Sequence, residues 1–292
     1  MNLKAWILAS RPKTLPAAIV PVCSGCLYAF HSEGVFDLSL AILTVLGAIM
    51  IQIATNFFND VIDAEKGTDT DARLGPQRMT ASGNLTPKMV YLAAGMMLLG
   101  ASVVGAFLFQ ERGWWMLVIG LPSLYFSYGY TGGPFPLAYR GMGEVFVILF
   151  FGLIAVGGTV FVQTGDWLSG AFLLGLQIGL LSAVLIAINN YRDIEEDRAA
   201  GKNTIVVRWG RARVKWLILA MTITPAILVF GHESTRVPVW AALALGLSFV
   251  FTAVNFWGLK KADPPNFLLG LAALHLILFL GVQYFVMTLT FG

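Results

Sequence analysis

Long apolar stretches, separated by glycine, proline and short charged clusters, run the whole length of the 292-residue chain. A helix that crosses the hydrocarbon core of a bilayer needs about 20 predominantly apolar residues. By that measure the pattern predicts a polytopic all-α membrane protein of about nine transmembrane helices. Their approximate ranges are 14–31, 38–62, 86–109, 113–129, 141–163, 168–191, 212–231, 237–258 and 266–288. No polar linker divides the pattern, so we expect one domain over residues 1–292.

The composition excludes a soluble globular protein. Hydrophobic residues make up 57% of the chain, charged residues only 12%, and the mean hydropathy is +0.76. Soluble chains carry about twice that charged fraction because water must wet their surface. The expected surroundings are therefore a lipid bilayer, with no nucleic acid and no protein partner predicted. The pair Cys23 and Cys26 lies in an apolar stretch and is interpreted as ordinary helix packing.

Basic residues are concentrated on one side of the predicted membrane. Of the 19 Lys and Arg residues, 17 fall in the N-terminal segment or in loops on its side, and only Arg112 and Arg236 fall on the other. Cytoplasmic loops of membrane proteins carry an excess of Lys and Arg. We therefore expect a bacterial cytoplasmic (inner) membrane protein whose N-terminus and basic loops face the cytoplasm.

Two acidic segments share one spacing. They read NFFNDVIDAEKGTDT from residue 56 and NYRDIEEDRAAGKNT from residue 190, at the ends of the second and sixth predicted helices. A constant offset of 134 positions makes Asn59 correspond to Asp193 and Asp63 to Asp197. A repeated pattern of this kind indicates an internal repeat, with a site where the two copies meet.

Helical geometry places the polar residues of each segment on one face, because residues three or four apart are neighbours. The two stripes are Gln52, Asn56, Asn59 or Asp60, and Asp63 on the second helix, and Asn189 or Asn190, Asp193, Glu196 and Asp197 on the sixth. Ionisable groups at membrane depth need a cavity and a partner. Carboxylate oxygens favour Mg²⁺, which commonly joins carboxylates to substrate phosphates. Nearby bases suited to the same phosphates are Lys66, Arg73, Arg78, Arg198 and Lys202.

A diphosphate held by Mg²⁺ inside a membrane indicates a lipid diphosphate substrate. For an allylic diphosphate the metal neutralises the leaving group, and the allylic cation that forms needs a dry pocket. Aromatic faces stabilise such a cation. The rings first considered for this task are Phe57, Phe58, Tyr125 and Tyr191.

The two acidic motifs resemble those of the UbiA-type intramembrane aromatic prenyltransferases. Several further segments resemble the menaquinone branch of that family, the 1,4-dihydroxy-2-naphthoate prenyltransferases. They are RPKTLP from residue 11, GTDT from residue 67, GPQRMTASG from residue 75, YTGGP from residue 130 and DIEED from residue 193. The resemblance covers about residues 6–288.

The resemblance implies nine helices around a central cavity that is capped on the cytoplasmic side. It also implies Mg²⁺, a polyprenyl diphosphate and a bicyclic aromatic acid whose carboxyl group is replaced by the prenyl group, with release of CO₂ and diphosphate. The metal and diphosphate centre carries over to Asn59, Asp60, Asp63, Asp193 and Asp197. Arg78 and Lys202 are implied diphosphate contacts and Arg140 a substrate contact, while the polar stripes add Asn56, Asn189 and Asn190. Asp69 is a candidate to accept a proton from the acceptor.

One position departs from the family pattern. The generic first motif carries another Asp where this chain has Gly67, and Asp69 or Asp71 is a possible substitute. Two alternatives remain open at this point. One is a family member that uses another acceptor, such as 4-hydroxybenzoate or homogentisate. The other is an ion-coupled secondary transporter, since paired acidic helices and internal repeats also build carriers.

Overall fold

The computed structural model describes residues 2–67, 78–229, 238–259 and 267–291, and these are almost entirely helical. The helices are α1 (Leu3–Ser10), α2 (Pro16–Glu33), α3 (Leu38–Glu65), α4 (Pro87–Arg112), α5 (Trp115–Gly129), α6 (Gly143–Val147), α7 (Ala155–Thr164), α8 (Ser169–Arg192), α9 (Ile194–Ala199), α10 (Ile205–Val229), α11 (Pro238–Gly258) and α12 (Phe267–Phe291). Short 3₁₀ turns cover Pro12–Thr14 and Leu137–Arg140, and a π-helical segment, Ile148–Ile154, joins α6 to α7.

Proline, aspartate and glycine set several helix ends. Pro16 and Pro87 occupy the first positions of α2 and α4, where a missing N–H costs no helical hydrogen bond. Asp37 caps α3 by accepting hydrogen bonds from the amides of Ser39 and Leu40 at 2.8 and 3.0 Å. These signals explain why the predicted boundaries at this end of α3 and at the start of α4 lie within a residue of the observed ones.

Six of the described helical segments are long and apolar enough to cross a membrane. They are Leu38–Glu65, Pro87–Arg112, Gly143–Thr164, Ser169–Arg192, Ile205–Val229 and Phe267–Phe291. The pair Leu3–Thr14 and Pro16–Glu33, bent by 49°, would make a seventh. The chain is thus an all-α, multi-pass membrane protein. The number nine is not confirmed, because α5 and α11 do not meet the same criterion within the described residues.

The helices α3 and α8 finish at the same end of the bundle, where Asp63 and Asp197 both approach Lys202. We call the end where α3 and α8 finish the motif face. At the other end, Arg112 donates to the carbonyl oxygens of Val162 and Gln163 at 2.6 and 3.0 Å. The side chain of Gln163 in turn bonds both backbone groups of Asp37, at 2.7 and 3.1 Å. These hydrogen bonds to backbone atoms therefore connect α3, α4 and α7 at the end opposite the motif face.

Packing places α8 against the π-helical segment, α10 and α12, while α3 packs on α4 and α2 on α7 and α12. Glycines permit the closest of these approaches. A Cβ atom on Gly152 would lie 2.4 Å from the carbonyl oxygen of Gly175. The π-helical segment is thereby held against α8, and the space between these helices and α2 to α5 contains the site.

Candidate active site

The two acidic segments meet around one lysine at the motif face. Lys202 Nζ lies 3.6 Å from Asp63 Oδ2 and 3.8 Å from Asp197 Oδ1. Gly201 adopts a left-handed φ of 70°, which glycine accepts without steric strain. This turn after α9 brings Lys202 back over the end of α3. Lys202 thus brings together Asp63 and Asp197, which are 134 positions apart in the sequence.

Asp63 is contacted by side chains from several parts of the chain, Lys202 among them. It is 2% exposed, and Arg78 Nη2 lies 3.1 Å from its Oδ2 atom. The Tyr139 hydroxyl donates a 2.9 Å hydrogen bond to Oδ1. We refer to Asp63, Arg78, Tyr139, Asp197 and Lys202 as the Asp63 cluster. Its two cations and buried carboxylates can exchange partners with an anionic ligand, since guanidinium and ammonium groups both bind phosphate oxygens.

Two other acidic residues of the motifs have different surroundings. Asp60 accepts hydrogen bonds from the backbone amides of Met79 and Thr80 at 3.1 and 2.8 Å, and so fixes the chain that carries Arg78. Asp193 receives two bonds from Arg192, at 2.5 and 2.8 Å. The carboxylates of the two segments are therefore held in distinct ways despite their common spacing.

The YTGGP segment folds back onto the end of α3. The Thr131 hydroxyl donates to Asn59 Oδ1, and Lys66 Nζ donates to the Thr131 carbonyl oxygen at 2.8 Å. Lys66 also lies over the Tyr139 ring, 3.9 Å from its centre. Burial lowers the pKa of Lys66, Asp63 opposes that shift, and Lys202 adds to it. Lys66 and Lys202 thus both lie over the Tyr139 ring, at 3.9 and 5.5 Å from its centre.

The carboxylates fit a shared metal ion better than a protein-only metal cage. Within the described ranges, no three acidic, histidine or cysteine side chains are arranged to hold a metal by themselves. Mg²⁺ commonly retains waters and binds one or two carboxylates together with substrate phosphates. The Asp63 cluster supplies one carboxylate from each acidic segment, which suits an ion that is completed by a diphosphate.

An elongated cavity of about 550 Å³ extends from this end of α3 into the bundle. Along α3 its lining reaches from Asn59 to Thr44, a rise of roughly 22 Å at 1.5 Å per residue. Its polar lining includes Arg11, Asn59 and Asn189, whereas most of the remaining wall is apolar. Such a cavity fits a long hydrocarbon chain with a polar head.

The rings that line the cavity are not the ones considered from the sequence. Phe57 packs edge-on against Trp6 and Phe58 against Tyr128. Tyr125 is 54% exposed, and the Tyr191 hydroxyl donates to the Leu259 carbonyl oxygen at 2.8 Å. None of the four belongs to the cavity wall. The wall instead contains an aromatic cluster of Phe126, Tyr130, Phe146 and Phe150, in which Phe146 and Phe150 stack at 4.2 Å.

Only some of the remaining predicted site residues line the cavity. Asn189 lines it, as does Asn56, whose amide donates to the Ser10 carbonyl oxygen at 2.9 Å. Asn190 donates to Glu144 at 3.0 Å. Arg140 is exposed and lies over the Phe135 ring at 4.5 Å. Asp69 lies outside the described residues, so its role stays a prediction, as do the other residue assignments.

Sequence reasoning did not single out three residues that the structure places here. Tyr139 bonds Asp63 directly, and only its position beside Arg140 pointed to it. Glu144 is 3% exposed, yet a single acid inside an apolar stretch gives little signal without its partner. Arg11 lines the cavity, although in the sequence it entered only as the first residue of the RPKTLP segment, with no role assigned.

The fold and this site indicate a class of protein. A comparison with known families identifies the same class. Residues 18–281 match the UbiA prenyltransferase family, and the chain belongs to that family. The resemblance noted in the sequence is therefore confirmed.

Three of the curated relatives bear the name of one enzyme. A 1,4-dihydroxy-2-naphthoate octaprenyltransferase from Haemophilus influenzae is 35% identical over 245 residues, which cover 79% of this chain and 78% of that protein. The enzyme of the same name from Mycobacterium leprae is 36% identical over 227 residues, covering 76% and 75%. That of Escherichia coli is 34% identical over 218 residues, covering 73% and 70%.

Solved structures share the fold. A UbiA homolog from Archaeoglobus fulgidus bound to GPP and Mg²⁺ superposes with a TM-score of 0.70 at 16% identity, covering 97% of this chain and 99% of that one. The apo structure of a UbiA homolog from Aeropyrum pernix gives a TM-score of 0.68 at 17% identity, with 98% of each chain covered. The predicted all-α, UbiA-like architecture is confirmed.

Proposed function

We propose that this chain transfers a polyprenyl group from a polyprenyl diphosphate to 1,4-dihydroxy-2-naphthoate. Carbon dioxide and diphosphate leave, and demethylmenaquinol for menaquinone biosynthesis is formed. The observation that carries the proposal is the contact of Lys202 with both acidic segments. Asp63 lies one helical turn beyond Asn59, which lines the end of a long and mostly apolar cavity. Relatives at 34–36% identity that bear the name of this activity support the choice of acceptor.

In this proposal the Asp63 cluster binds the diphosphate. Arg78 and Lys202 pair with phosphate oxygens, and Asp63 and Asp197 become available to a divalent ion. Mg²⁺, when bound there, supplies Lewis-acid neutralisation of the leaving group. Tyr139 keeps Asp63 oriented through its 2.9 Å hydrogen bond. Asn59 completes the polar end of the cavity.

The cavity then serves the hydrocarbon part of the reaction. Its apolar walls exclude water from the allylic carbon as the carbon–oxygen bond breaks. The aromatic cluster of Phe126, Tyr130, Phe146 and Phe150 presents ring faces and edges to the developing cation. The acceptor carbon that carries the carboxyl group forms the new bond, and the electron pair released with CO₂ restores the aromatic ring.

Product analysis tests the proposal. Membranes that contain the protein are given a polyprenyl diphosphate, Mg²⁺ and carboxyl-labelled 1,4-dihydroxy-2-naphthoate. We expect one labelled CO₂ for each prenyl group transferred, and no label in the product. Retention of the label, or faster turnover of 4-hydroxybenzoate or homogentisate, contradicts the assigned acceptor. Full activity in excess EDTA contradicts the role of the metal.

We also propose that the motif face points to the cytoplasm of a bacterial inner membrane, because the basic residues gather there. The test uses a variant in which Cys23 and Cys26 are replaced, with one new cysteine at Ala199 on the motif face or at Glu33 at the opposite end. An impermeant thiol reagent applied to intact cells should label only the second variant. Labelling of the Ala199→Cys variant from outside reverses the orientation.

A further inference from the structure

We infer that Arg11 binds the carboxylate of the aromatic acceptor at the polar end of the cavity. The inference rests on the proposed function and adds the residue that recognises the acid. Among the described residues that line the cavity, Arg11 is the only charged one. The prenyl chain carries no charge, and the diphosphate has its own cations in Arg78 and Lys202. The acceptor carboxylate is the remaining anion, and a guanidinium matches it in a two-bond geometry.

The backbone at Arg11 supports a dedicated role. Its φ and ψ of 50° and 69° lie in the left-handed region, and within the described residues no other non-glycine residue has a positive φ. Backbone strain of this kind persists only where the surroundings hold it, and it is concentrated at functional sites. The strain ends α1 and places Arg11 at the wall of the cavity instead of on the outer surface of the helix.

Side chains of α3 hold this turn in place. Thr14 donates to the Arg11 carbonyl oxygen at 2.9 Å. Asn56 donates to the Ser10 carbonyl oxygen at 2.9 Å and to Thr14 Oγ1 at 3.1 Å, and Gln52 donates to the same Thr14 oxygen at 3.2 Å. A helix that carries the first acidic motif therefore fixes the segment that carries Arg11.

A second buried polar group marks the same end of the cavity. Gln52 is 8% exposed, and within the described part of the chain its Oε1 atom has no hydrogen-bond partner. A buried acceptor without a partner is unfavourable, and a hydroxyl group of the aromatic substrate would satisfy it. Tyr130 is close as well. Burial raises its pKa, Glu144 and the motif aspartates raise it further, and the charge of Arg11 lowers it.

A pair of inhibitors that differ only in the carboxylate tests the inference. We would measure dissociation constants of 1-hydroxy-2-naphthoate and 1-naphthol by titration calorimetry, a direct binding readout, for the wild type, Arg11→Asn and Arg11→Lys. Asparagine is chosen because it tolerates the left-handed backbone. Arg11→Asn should weaken the carboxylate-bearing inhibitor by about tenfold or more, as expected for a charge-assisted bond. It should leave 1-naphthol and the KM of the prenyl diphosphate nearly unchanged.

Controls separate this role from folding and from the proposed function. Arg11→Lys keeps the charge and should restore part of the selectivity, whereas Lys13→Gln removes an exposed neighbouring charge and should change neither constant. Equal weakening of both inhibitors, or a raised KM for the diphosphate alone, overturns the inference. Prenyl transfer and CO₂ release by the wild type are followed in the same preparation. Their failure refutes the proposed function, while the inhibitor pair still reports on Arg11.

Discussion

The two acidic segments share a sequence pattern but differ in their backbone. In the first, α3 runs without interruption past Asp63 to Glu65. In the second, α8 ends at Arg192 and the chain turns at Asp193, with φ −90° and ψ 18°, before α9 begins. Both segments then reach a left-handed glycine, Gly67 with φ 67° and Gly201 with φ 70°. The repeat therefore conserves the turn that ends each segment rather than the helix before it.

Because of this difference, the two segments contribute different groups to the site. The straight first segment presents Asp63 as the carboxylate on which Arg78, Tyr139 and Lys202 converge. The broken second segment pairs Asp193 with its own neighbour Arg192, and its glycine turn supplies Lys202. This also explains why the chain has a glycine where the family pattern carries an aspartate. Gly67 has a left-handed φ, which glycine adopts more readily than other residues.

The largest expected effect comes from the two corresponding aspartates. Asp63→Asn and Asp197→Asn should each lower kcat by roughly a hundredfold to a thousandfold, the usual loss when one preorganised electrostatic group of a transition state is removed. Turnover would be measured at saturating diphosphate and Mg²⁺. A rate close to that of the wild type in either variant would remove that carboxylate from the proposed mechanism.

Stability should distinguish these two variants. Asp63→Asn removes the carboxylate that pairs with the buried Arg78 at 3.1 Å, and loss of one partner from a buried pair commonly costs about 3–5 kcal/mol. The Lys202–Asp197 pair is looser, at 3.8 Å, so replacement of Asp197 should cost less. Thermal unfolding in detergent would show the difference. Equal melting temperatures would mean that the convergence on Asp63 adds no stability.

Lys202→Gln should have the next largest effect, because it removes the group that joins the segments. A charge-assisted bond contributes about 1.5–3 kcal/mol, so the KM of the prenyl diphosphate should rise by about ten- to a hundredfold. The KM of the acceptor should change far less. Arg198→Gln is the matched control, since Arg198 pairs with Glu195 on the exposed surface of α9. An unchanged diphosphate KM would exclude Lys202 from binding.

Much of the fold was accessible from the sequence because membrane helices need long apolar stretches. Each predicted range overlaps a described helix, and the structure brings Asp63 and Asp197, which correspond in the repeat, to the same lysine. The residues of the cavity wall could not be predicted from the sequence in the same way. Helices that are apolar all round give no pattern that separates a cavity face from a lipid face. Phe146 and Phe150 were therefore not among the rings considered from the sequence, whereas Tyr125, which is exposed, was.

Contacts between distant segments were also beyond the sequence. Nothing in the pattern indicates that Thr131 bonds Asn59 or that Tyr139 bonds Asp63, because both depend on how the chain after α5 folds back. The π-helical segment Ile148–Ile154 could not be predicted either, since its register results from packing against α8. Arg11 was part of the RPKTLP segment, but no role at the site was indicated for it, because its left-handed backbone is imposed by partners on α3.

Asp60→Asn should have a smaller effect on turnover than Asp63→Asn. Its two carboxylate oxygens accept the amides of Met79 and Thr80, and an asparagine side chain can accept only one of these bonds. We expect a loss of about 1.5–3 kcal/mol in stability, typical of a hydrogen bond to a charged group, and a fall in kcat/KM of about tenfold. Loss of activity as severe as that of Asp63→Asn would instead place Asp60 among the metal ligands.

The smallest expected effect is that of Tyr139→Phe, which removes the hydroxyl from Asp63 but keeps the ring beneath Lys66 and Lys202. A hydrogen bond to a charged group contributes about 1.5–3 kcal/mol to stability, but Tyr139 acts on turnover only through the orientation of Asp63, so kcat/KM should fall by only about two- to tenfold. Tyr91→Phe is the matched control, because Tyr91 bonds the neighbouring Glu65 at 2.8 Å outside the Asp63 cluster. If Tyr139 orients Asp63, Tyr139→Phe should add little to Asp63→Asn when the two are combined. Full additivity of the two effects would show that Tyr139 acts on the substrate without Asp63.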